Sequence, residues 1–236
     1  MTDLLGATAE AAAAGPALPL LERYAALLAG PGVERGLLGP RETPRLWERH
    51  LLNCAGLAEL LEPGQVVADL GSGAGLPGIV LAAMRPDVTV VLIEPLLRRA
   101  TFLEQAVAEL SLRTVVVRRA RAEELAGRLL VDCVTARAVA PLDRLAGWAL
   151  PLLSPGGRLL ALKGERADGE LAGAGAALEA AGASAAEVVT VGTGLTEARV
   201  VVVTRGDRTV PAARSAARPW VRPGGSPTTN RRRDRR

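Results

Sequence analysis

Val66-Val67-Ala68-Asp69-Leu70-Gly71-Ser72-Gly73-Ala74-Gly75-Leu76-Pro77-Gly78 is the stretch on which the fold turns. A short apolar run of strand character meets a cluster of glycines where a helix begins. Glycine at such a turn lets the backbone approach a ligand and points the N–H groups of the helix start at it. Taken alone, this pattern says only that a nucleotide-like cofactor binds. Two details narrow it. The glycines fall as Gly71-x-Gly73-x-Gly75, whereas the dinucleotide fingerprint GxGxxG would put its third glycine where Leu76 stands. Asp69 lies two residues before the first glycine, where its charge would repel a pyrophosphate but not a zwitterionic sulfonium cofactor carrying an ammonium and an S⁺.

Downstream residues extend the site. Glu94 closes the next apolar run, roughly 20 residues past the glycines, the distance at which an acid reaches ribose hydroxyls in doubly wound folds. Enzymes of the NAD class share that acid, so it indicates a ribose without choosing the cofactor. A third run leads to Arg121-Ala122-Glu123-Glu124, placing the small Ala122 and the acid Glu123 where an adenine ring would lie. Glu124 reads instead as an acidic first turn that complements a helix dipole.

Strand-like runs at Val66–Leu70, Val88–Glu94, Thr114–Arg119, Val131–Ala136 and Arg158–Lys163 alternate with helical stretches, which implies parallel strands with crossover connections. After the second run, Leu96, Ala100, Leu103, Val107 and Leu110 step by three and four and should face a sheet. A helix over Asp168–Ala181 precedes Val188–Val191 and Arg199–Thr204, whose short connection demands antiparallel pairing. This is the α/β arrangement of a class I SAM-dependent methyltransferase: a Rossmann-like, mostly parallel seven-stranded sheet with an antiparallel last strand. Ahead of it, Leu18–Leu28 and Trp47–Leu61 read as helices of an N-terminal helical cap, with Gly30-Pro31-Gly32 and Gly39-Pro40 breaking the helical pattern between them. The expected organisation is a mobile leader over residues 1–17 and a methyltransferase domain over 18–206, divided into a cap (18–62) and a Rossmann-like core (63–206). A basic Pro/Gly/Arg-rich tail over 207–236 is expected to lack order.

Composition removes several function classes. Cys54 and Cys133 have no paired spacing, which excludes a disulfide framework and a CxxC site, and His50 is the one histidine, so no zinc cluster or histidine-centred triad is expected. No apolar run reaches the roughly 18 residues of a membrane span, and Met1–Glu10 is acidic where a signal peptide is basic, so a cytoplasmic location is expected; the expected oligomeric state, a monomer, is a separate expectation. The net charge of +4 hides an asymmetry: residues 205–236 carry ten arginines against Asp207 and Asp234, leaving 19 basic and 23 acidic residues elsewhere. The tail reads either as an electrostatic arm for RNA or as drift in a chain with 28 arginines and one lysine. Tyr24, Trp47, Phe102, Trp148 and Trp220 are too few for a stacking platform of single-stranded RNA, so an RNA substrate would have to be recognised by phosphate and shape.

Asp69-Leu-Gly-Ser-Gly-Ala-Gly-Leu-Pro-Gly78, Arg121-Ala-Glu-Glu124, Thr135-Ala-Arg-Ala138 and Ala161-Leu-Lys-Gly164 resemble the motifs of the bacterial 16S rRNA (guanine-N7) methyltransferase family, also called the glucose-inhibited division protein B family. The resemblance runs from about Leu21 to Arg205. It implies S-adenosyl-L-methionine as cofactor, 16S rRNA within the small ribosomal subunit as partner, and guanine 527 as target. Carried over residue by residue, it implies cofactor contacts at Gly71, Leu76, Ala122, Glu123 and Arg137, joining Asp69, Gly73, Gly75 and Glu94 from the pattern itself. The chain departs from the family where Asn53-Cys54 stands in place of a common Asp-Ser, and Asn230–Arg236 is extra.

The chemistry agrees with that acceptor. Guanine N7 carries an in-plane lone pair, so transfer needs alignment and no general base, and alignment can contribute about 7 to 11 kcal/mol. Val131-Asp-Cys-Val-Thr-Ala-Arg137 lacks the Asp/Asn-Pro-Pro-aromatic segment that cradles an exocyclic amine, and Cys133 lies within the strand, unlike a nucleophile for pyrimidine C5. Arg137, at the strand's mouth, reads as a holder of cofactor or a donor to guanine O6. Lys163 is expected to contact RNA phosphate or the target base, or else to be a surface lysine at a strand end. A substrate-orienting role for His50 rests on the resemblance, with a packed histidine as the default. The alternatives are a small-molecule methyltransferase and a non-catalytic SAM-binding ribosome-assembly factor; an NAD-dependent dehydrogenase is disfavoured by the glycine spacing.

Overall fold

A computed structural model describes residues 14–192 and 197–207. The sheet holds seven strands: β1 (Val66–Leu70), β2 (Thr89–Ile93), β3 (Val115–Arg118), β4 (Val131–Arg137), β5 (Leu153–Leu162), β6 (Ala183–Val191) and β7 (Ala198–Arg205). Their order is β3-β2-β1-β4-β5-β7-β6, parallel from β3 through β5, with β7 antiparallel to both of its neighbours. The chain reverses its winding between β1 and β4, and ligands of such sheets bind outside the carboxyl ends of the strands at that switch. The glycine turn leaves β1 at this point.

Five of the seven strands match the expected runs to within two residues at each end. The exceptions are β5 and β6, each of which starts five residues earlier. In β5 the extension passes through Ser154-Pro-Gly-Gly157, where a side chain at Gly157 would meet the carbonyls of Asp132 and Ser154 at 2.9 Å. In β6 the added residues are Ala183–Glu187 on an edge strand, half-buried at Ala183 and exposed beyond it, so no apolar alternation marks them.

Helices cover both faces. On one lie α1 (Leu18–Leu27), α2 (Asn53–Ala55), α3 (Gly78–Met84) and α4 (Leu97–Glu109); on the other, after the single turn α5 (Ala122–Leu125), lie α6 (Leu142–Ala149) and α7 (Ala167–Ala180). Because apolar side chains meet both faces, β1 is buried at every residue, which is why it reads as a continuous apolar run. On α4, Ala100 and Leu103 pack inward as their spacing requires, as does Leu110 just past its end, and Val107 is partly buried, but Leu96 precedes the helix and stands 52% exposed.

The cap departs from the expected two helices and break. Gly30-Pro31-Gly32 does not end the first helix; the chain passes through a wide π turn over Leu28–Gly32, and Leu37 N–H bonds Gly32 O at 2.9 Å. Pro31 has no N–H, so a shift to a wider hydrogen-bond register accommodates it without stopping the helix. The second segment runs as a π turn over Trp47–Leu52, α2, and a 3₁₀ turn over Gly56–Leu60. Arg85 donates to the carbonyls of Ala58 (3.0 Å) and Leu61 (2.5 Å), and Arg158 to Leu60 (2.5 Å), so the helix-terminal acceptors are satisfied by the core. At the start, residues 1–13 of the expected leader lie outside the described residues. Gly15–Ala17 form a 3₁₀ turn, and Ala14 and Ala17 are buried in the core. The tail beyond Asp207 also lies outside the described residues.

Gly78 fixes how closely α3 seats on the sheet. A Cβ there would stand 2.3 Å from Leu92 Cδ2 and 2.7 Å from Asp69 Oδ2, both fully buried. Gly78→Ala is therefore expected to destabilise the chain by about 1 to 3 kcal/mol, seen as a lower urea midpoint at unchanged slope; a midpoint equal to the parent's would show that α3 can shift freely.

Candidate functional site

The glycine turn is held from three sides. Gly71 N–H and Ser72 N–H both donate to Ile93 O, at 2.9 and 3.1 Å, so the first residues of the turn still lean on β2. Gly71, Gly73 and Gly75 have φ of 66°, 58° and 103°, a region that residues with a Cβ rarely adopt. At Gly75 a side chain would also collide with Ile79 Cδ1 at 2.5 Å and Tyr24 Oη at 2.9 Å, whereas at Gly73 only Gly71 O lies near, at 3.8 Å. The turn is thus packed beneath Gly75 and open at Gly73, which leaves a cradle that a Cβ would fill.

Glu94 is 1% exposed, and its two oxygens accept from separate backbone groups: Oε2 from Gly73 N–H at 3.0 Å and Oε1 from Leu96 N–H at 3.0 Å. Arg99 stands 3.8 Å from Oε2. The acid therefore joins the glycine turn to the end of β2. Ala122 is buried at the start of α5, and Glu123 is exposed beside it. Glu124 Oε2 accepts from Arg121 N–H at 3.2 Å, the backward reach of a capping box, in keeping with its reading as a helix-start residue. Leu76 is 8% exposed under the turn.

Asp69 lies deeper than its charge suggested. It is fully buried, with Oδ2 accepting from Gly78 N–H at 3.2 Å, Oδ1 facing the Thr135 hydroxyl at 3.4 Å, and its carbonyl accepting from Ser72 Oγ at 2.9 Å. It braces the turn from below and does not line the opening. Burial outweighs these hydrogen bonds and pushes its carboxyl up to about 6. Tyr24 of α1, packed against Gly75, donates to Ala74 O at 2.7 Å. Its phenol is fully buried, and burial, with Cys54 and Asp69 adding to it, holds it well above the ordinary tyrosine value, so it stays a neutral donor. Nothing in the sequence marks Tyr24 as part of the turn; the contact joins residues 50 apart.

The neighbouring strand end carries Arg137. One nitrogen of its guanidinium, Nη1, donates to the carbonyls of Arg49 and His50 at 3.3 Å each and stands 3.6 Å from Cys54 Sγ, while Nη2 meets His50 Nδ1. Arg137 thus reaches from the sheet to the cap. The next residue, Ala138, has φ of 54°, a conformation costly for a residue with a Cβ, and Val139 then packs where a Gly71 side chain would stand. Arg137 also faces a cavity of about 410 Å³, lined from the cap by Arg49 and Asn53, from the end of β5 by Gly164 and Glu165, and from the start of β7 by Arg199. The expected contact of Lys163 with RNA is not what the structure provides, and neither is a surface lysine. Its side chain is 8% exposed, the ammonium donating to Ala140 O at 2.6 Å and pairing with Glu170 Oε2 at 2.8 Å, while that same oxygen accepts from Leu142 N–H at 3.0 Å. A buried ammonium needs such partners; they fasten the loop after β4 to α7.

Burial pushes the thiols of Cys54 and Cys133 up to about 11 and about 12, so neither supplies a thiolate at neutral pH. Among the described residues no group of three or more His, Cys, Asp and Glu side chains is placed to hold a metal ion, and no helix is long and apolar enough to cross a membrane.

The profile of the family described as rRNA small subunit methyltransferase G matches residues 17–201. Curated relatives named ribosomal RNA small subunit methyltransferase G include one from Thermobifida fusca, 54% identical over 224 residues, spanning 93% of this chain and 94% of the relative. One from Nocardioides sp. is 58% identical over 186 residues, spanning 79% and 74%. Among solved structures, a SAM-dependent methyltransferase from Aquifex aeolicus superimposes with a TM-score of 0.52 at 21% identity, over 68% of this chain and 93% of that one. A SAM-dependent O-methyltransferase from Thermotoga maritima gives 0.51 at 18% identity, over 67% and 66%. These two share the fold.

Asp69 makes stability depend on pH with a definite sign. Its folded value, about 6, exceeds the unfolded value near 3.9, so its contribution is fully present below about pH 4 and is lost as pH rises through 6. An asparagine in its place would keep an acceptor for Gly78 N–H without the buried charge. Asp69→Asn is therefore expected to melt above the parent at pH 8, by a margin that shrinks toward zero by about pH 4. A margin independent of pH, followed by circular dichroism, would show that the carboxylate carries no desolvation cost.

Proposed function

The chain belongs to the rRNA small subunit methyltransferase G family, and from that premise we propose that it transfers the methyl group of S-adenosyl-L-methionine to N7 of a guanine in 16S rRNA of the small ribosomal subunit. The target is guanine 527, the position that the motif resemblance implies. The observation that carries the reading is the adjacency of two sites at one sheet edge: the open cradle at Gly73, braced by Glu94, and the arginine-lined cavity reached by Arg137.

Bound S-adenosylmethionine supplies an electrophilic methyl on a sulfonium. Gly71, Gly73 and Gly75 would present backbone to its methionine moiety, Glu94 would take ribose hydroxyls on the lone pairs left beside its two backbone donors, and Leu76, Ala122 and Glu123 would surround the remainder. Asp69 acts through the turn that it braces. Arg137, always charged and held against the cap, donates to guanine O6 and so sets N7 in line with the methyl. No residue has to remove a proton, because N7 attacks through a lone pair it already carries. That accounts for a site in which the cysteines stay protonated and the buried acid Asp69 is committed to the Gly78 N–H. Cap residue Arg49, 48% exposed and 3.4 Å from Glu42, and hairpin residue Arg199, 36% exposed and 2.5 Å from Asp168, stand on either side of the cavity, where they would exchange these partners for phosphates flanking the target.

Label from S-adenosylmethionine is expected to enter small subunits or their 16S rRNA, prepared from cells lacking this enzyme, and to map to one N7-methylguanine. Label confined to a metabolite extract offered in parallel would instead support a small-molecule acceptor, and cofactor binding without transfer would support an assembly factor. Replacing Arg49 or Arg199 with Ala is expected to raise KM for the ribosomal acceptor and to reduce the salt slope of binding by about one per lost phosphate contact, with cofactor affinity unchanged. An unaltered salt slope in both variants would remove the cavity from the RNA path.

A further inference from the structure

Three side chains from three elements line up behind the cavity. Glu42 lies in the 3₁₀ turn Pro40–Arg45, His50 in the second cap segment, and Arg137 at the end of β4. Glu42 Oε2 stands 2.9 Å from His50 Nε2, and the opposite ring nitrogen, Nδ1, meets Arg137 Nη2. A guanidinium is only a donor, so Nδ1 has to accept, and a neutral imidazole that accepts at Nδ1 carries its proton at Nε2. A carboxylate is only an acceptor, and it sits where that Nε2–H points. The two partners therefore select the same tautomer: Arg137 requires Nδ1 to be bare, and Glu42 requires the proton to be at Nε2.

We propose that Glu42 is a positioning residue for methyl transfer, acting through the fixed Nε2–H tautomer of His50 to hold the Arg137 guanidinium at the acceptor cavity. The inference rests on the reading of Arg137 as the group that orients guanine. Without Glu42, the ring is free to place its proton on Nδ1, where it would face the guanidinium donor to donor; Arg137 would keep its contacts to the carbonyls of Arg49 and His50 but lose the one that fixes its rotation. Protonation of the ring has the same effect. The groups that face the ring are Glu42 from the turn, Arg137 from β4 and Arg49 from its own segment, with Arg45 near Glu42, the neutral Cys54 thiol near Arg137, and Asp69 beneath Arg137. Burial first and the Arg137 charge second hold His50 below its ordinary value, while Glu42 opposes them. The chain is thus neutral at this ring at pH 7 and loses the Arg137 contact as pH falls through its titration.

His50 is the single histidine of the chain, so its ring nitrogens can be read without assignment in the full-length protein free of added histidines. Long-range proton–nitrogen correlation at pH 7 is expected to show a neutral ring protonated at Nε2. Glu42→Gln, which keeps an acceptor but removes the charge, is expected to retain the tautomer and to titrate at lower pH, carrying the acid limb of kcat/KM on ribosomal acceptor with it. Glu42→Ala is expected to lose the single tautomer and to reduce kcat about 10- to 100-fold, the scale of a misplaced orienting group, at unchanged affinity for S-adenosylhomocysteine. A ring protonated at Nδ1 in the parent, or a Glu42→Ala variant with the parent's tautomer and kcat, overturns the proposal. The nitrogen spectra need no RNA, so a chain that showed the expected tautomer and transferred methyl to no ribosomal acceptor would refute the reading of the activity and leave the Glu42–His50–Arg137 arrangement standing.

Discussion

The hydrogen bond from Gly73 N–H to Glu94 Oε2 is the constraint on which the site depends, because it ties the one open point of the glycine turn to the end of the adjacent strand. Three glycines in left-handed conformations would otherwise be the loosest part of the chain, since each loses more conformational freedom on ordering than any other residue. The structure restrains them with short contacts to rigid neighbours. Glu94 holds the turn from β2, Asp69 braces it through Gly78 N–H, and Tyr24 holds it from α1 through Ala74 O. A turn fixed in this way presents its backbone to a ligand in place, so binding does not have to order it.

The family profile extends across the cap from residue 17. Tyr24 and the carbonyls of Arg49 and His50 show how the cap is joined to the core: by polar contacts to the glycine turn and to Arg137, over an apolar layer in which Leu21, Leu28, Leu51 and Leu57 are fully buried. The cap therefore touches both the glycine turn, through Tyr24, and the cavity that Arg137 faces, through Arg49 and Asn53.

What was legible in the sequence had a local cause. Continuous apolar runs marked the central strands because those strands are covered on both faces, and the glycine spacing marked the turn after β1 because all three glycines take positive φ and Gly71 and Gly75 are packed as well. What was not legible involved partners far apart in the chain or positions without a pattern. Tyr24 meets the turn 50 residues on, and Arg137 meets His50 87 residues back; neither distance leaves a trace in periodicity. The exposed half of β6 has no alternation to read. Lys163 stood out as the only lysine, but rarity is a property of composition, and its pairing with Glu170 and the carbonyl of Ala140 emerges only when the loop after β4 folds against α7. In the sequence Asp69 reads as a charge facing the cofactor, yet its side chain points under the turn, a direction set by the alternation of β1 and by the absence of a side chain at Gly78.

In the proposed reading the braced turn accepts S-adenosylmethionine and no dinucleotide, with Glu94 as its ribose contact. Calorimetric titration of S-adenosylhomocysteine and of NADH into the full chain and into Glu94→Ala examines both halves of that reading. The expected result is one equivalent of S-adenosylhomocysteine bound by the parent, at least about tenfold weaker binding by a folded Glu94→Ala variant, equivalent to roughly 1.4 kcal/mol, and no heat with NADH. Binding of NADH, or S-adenosylhomocysteine affinity indifferent to the loss of Glu94, would contradict the account.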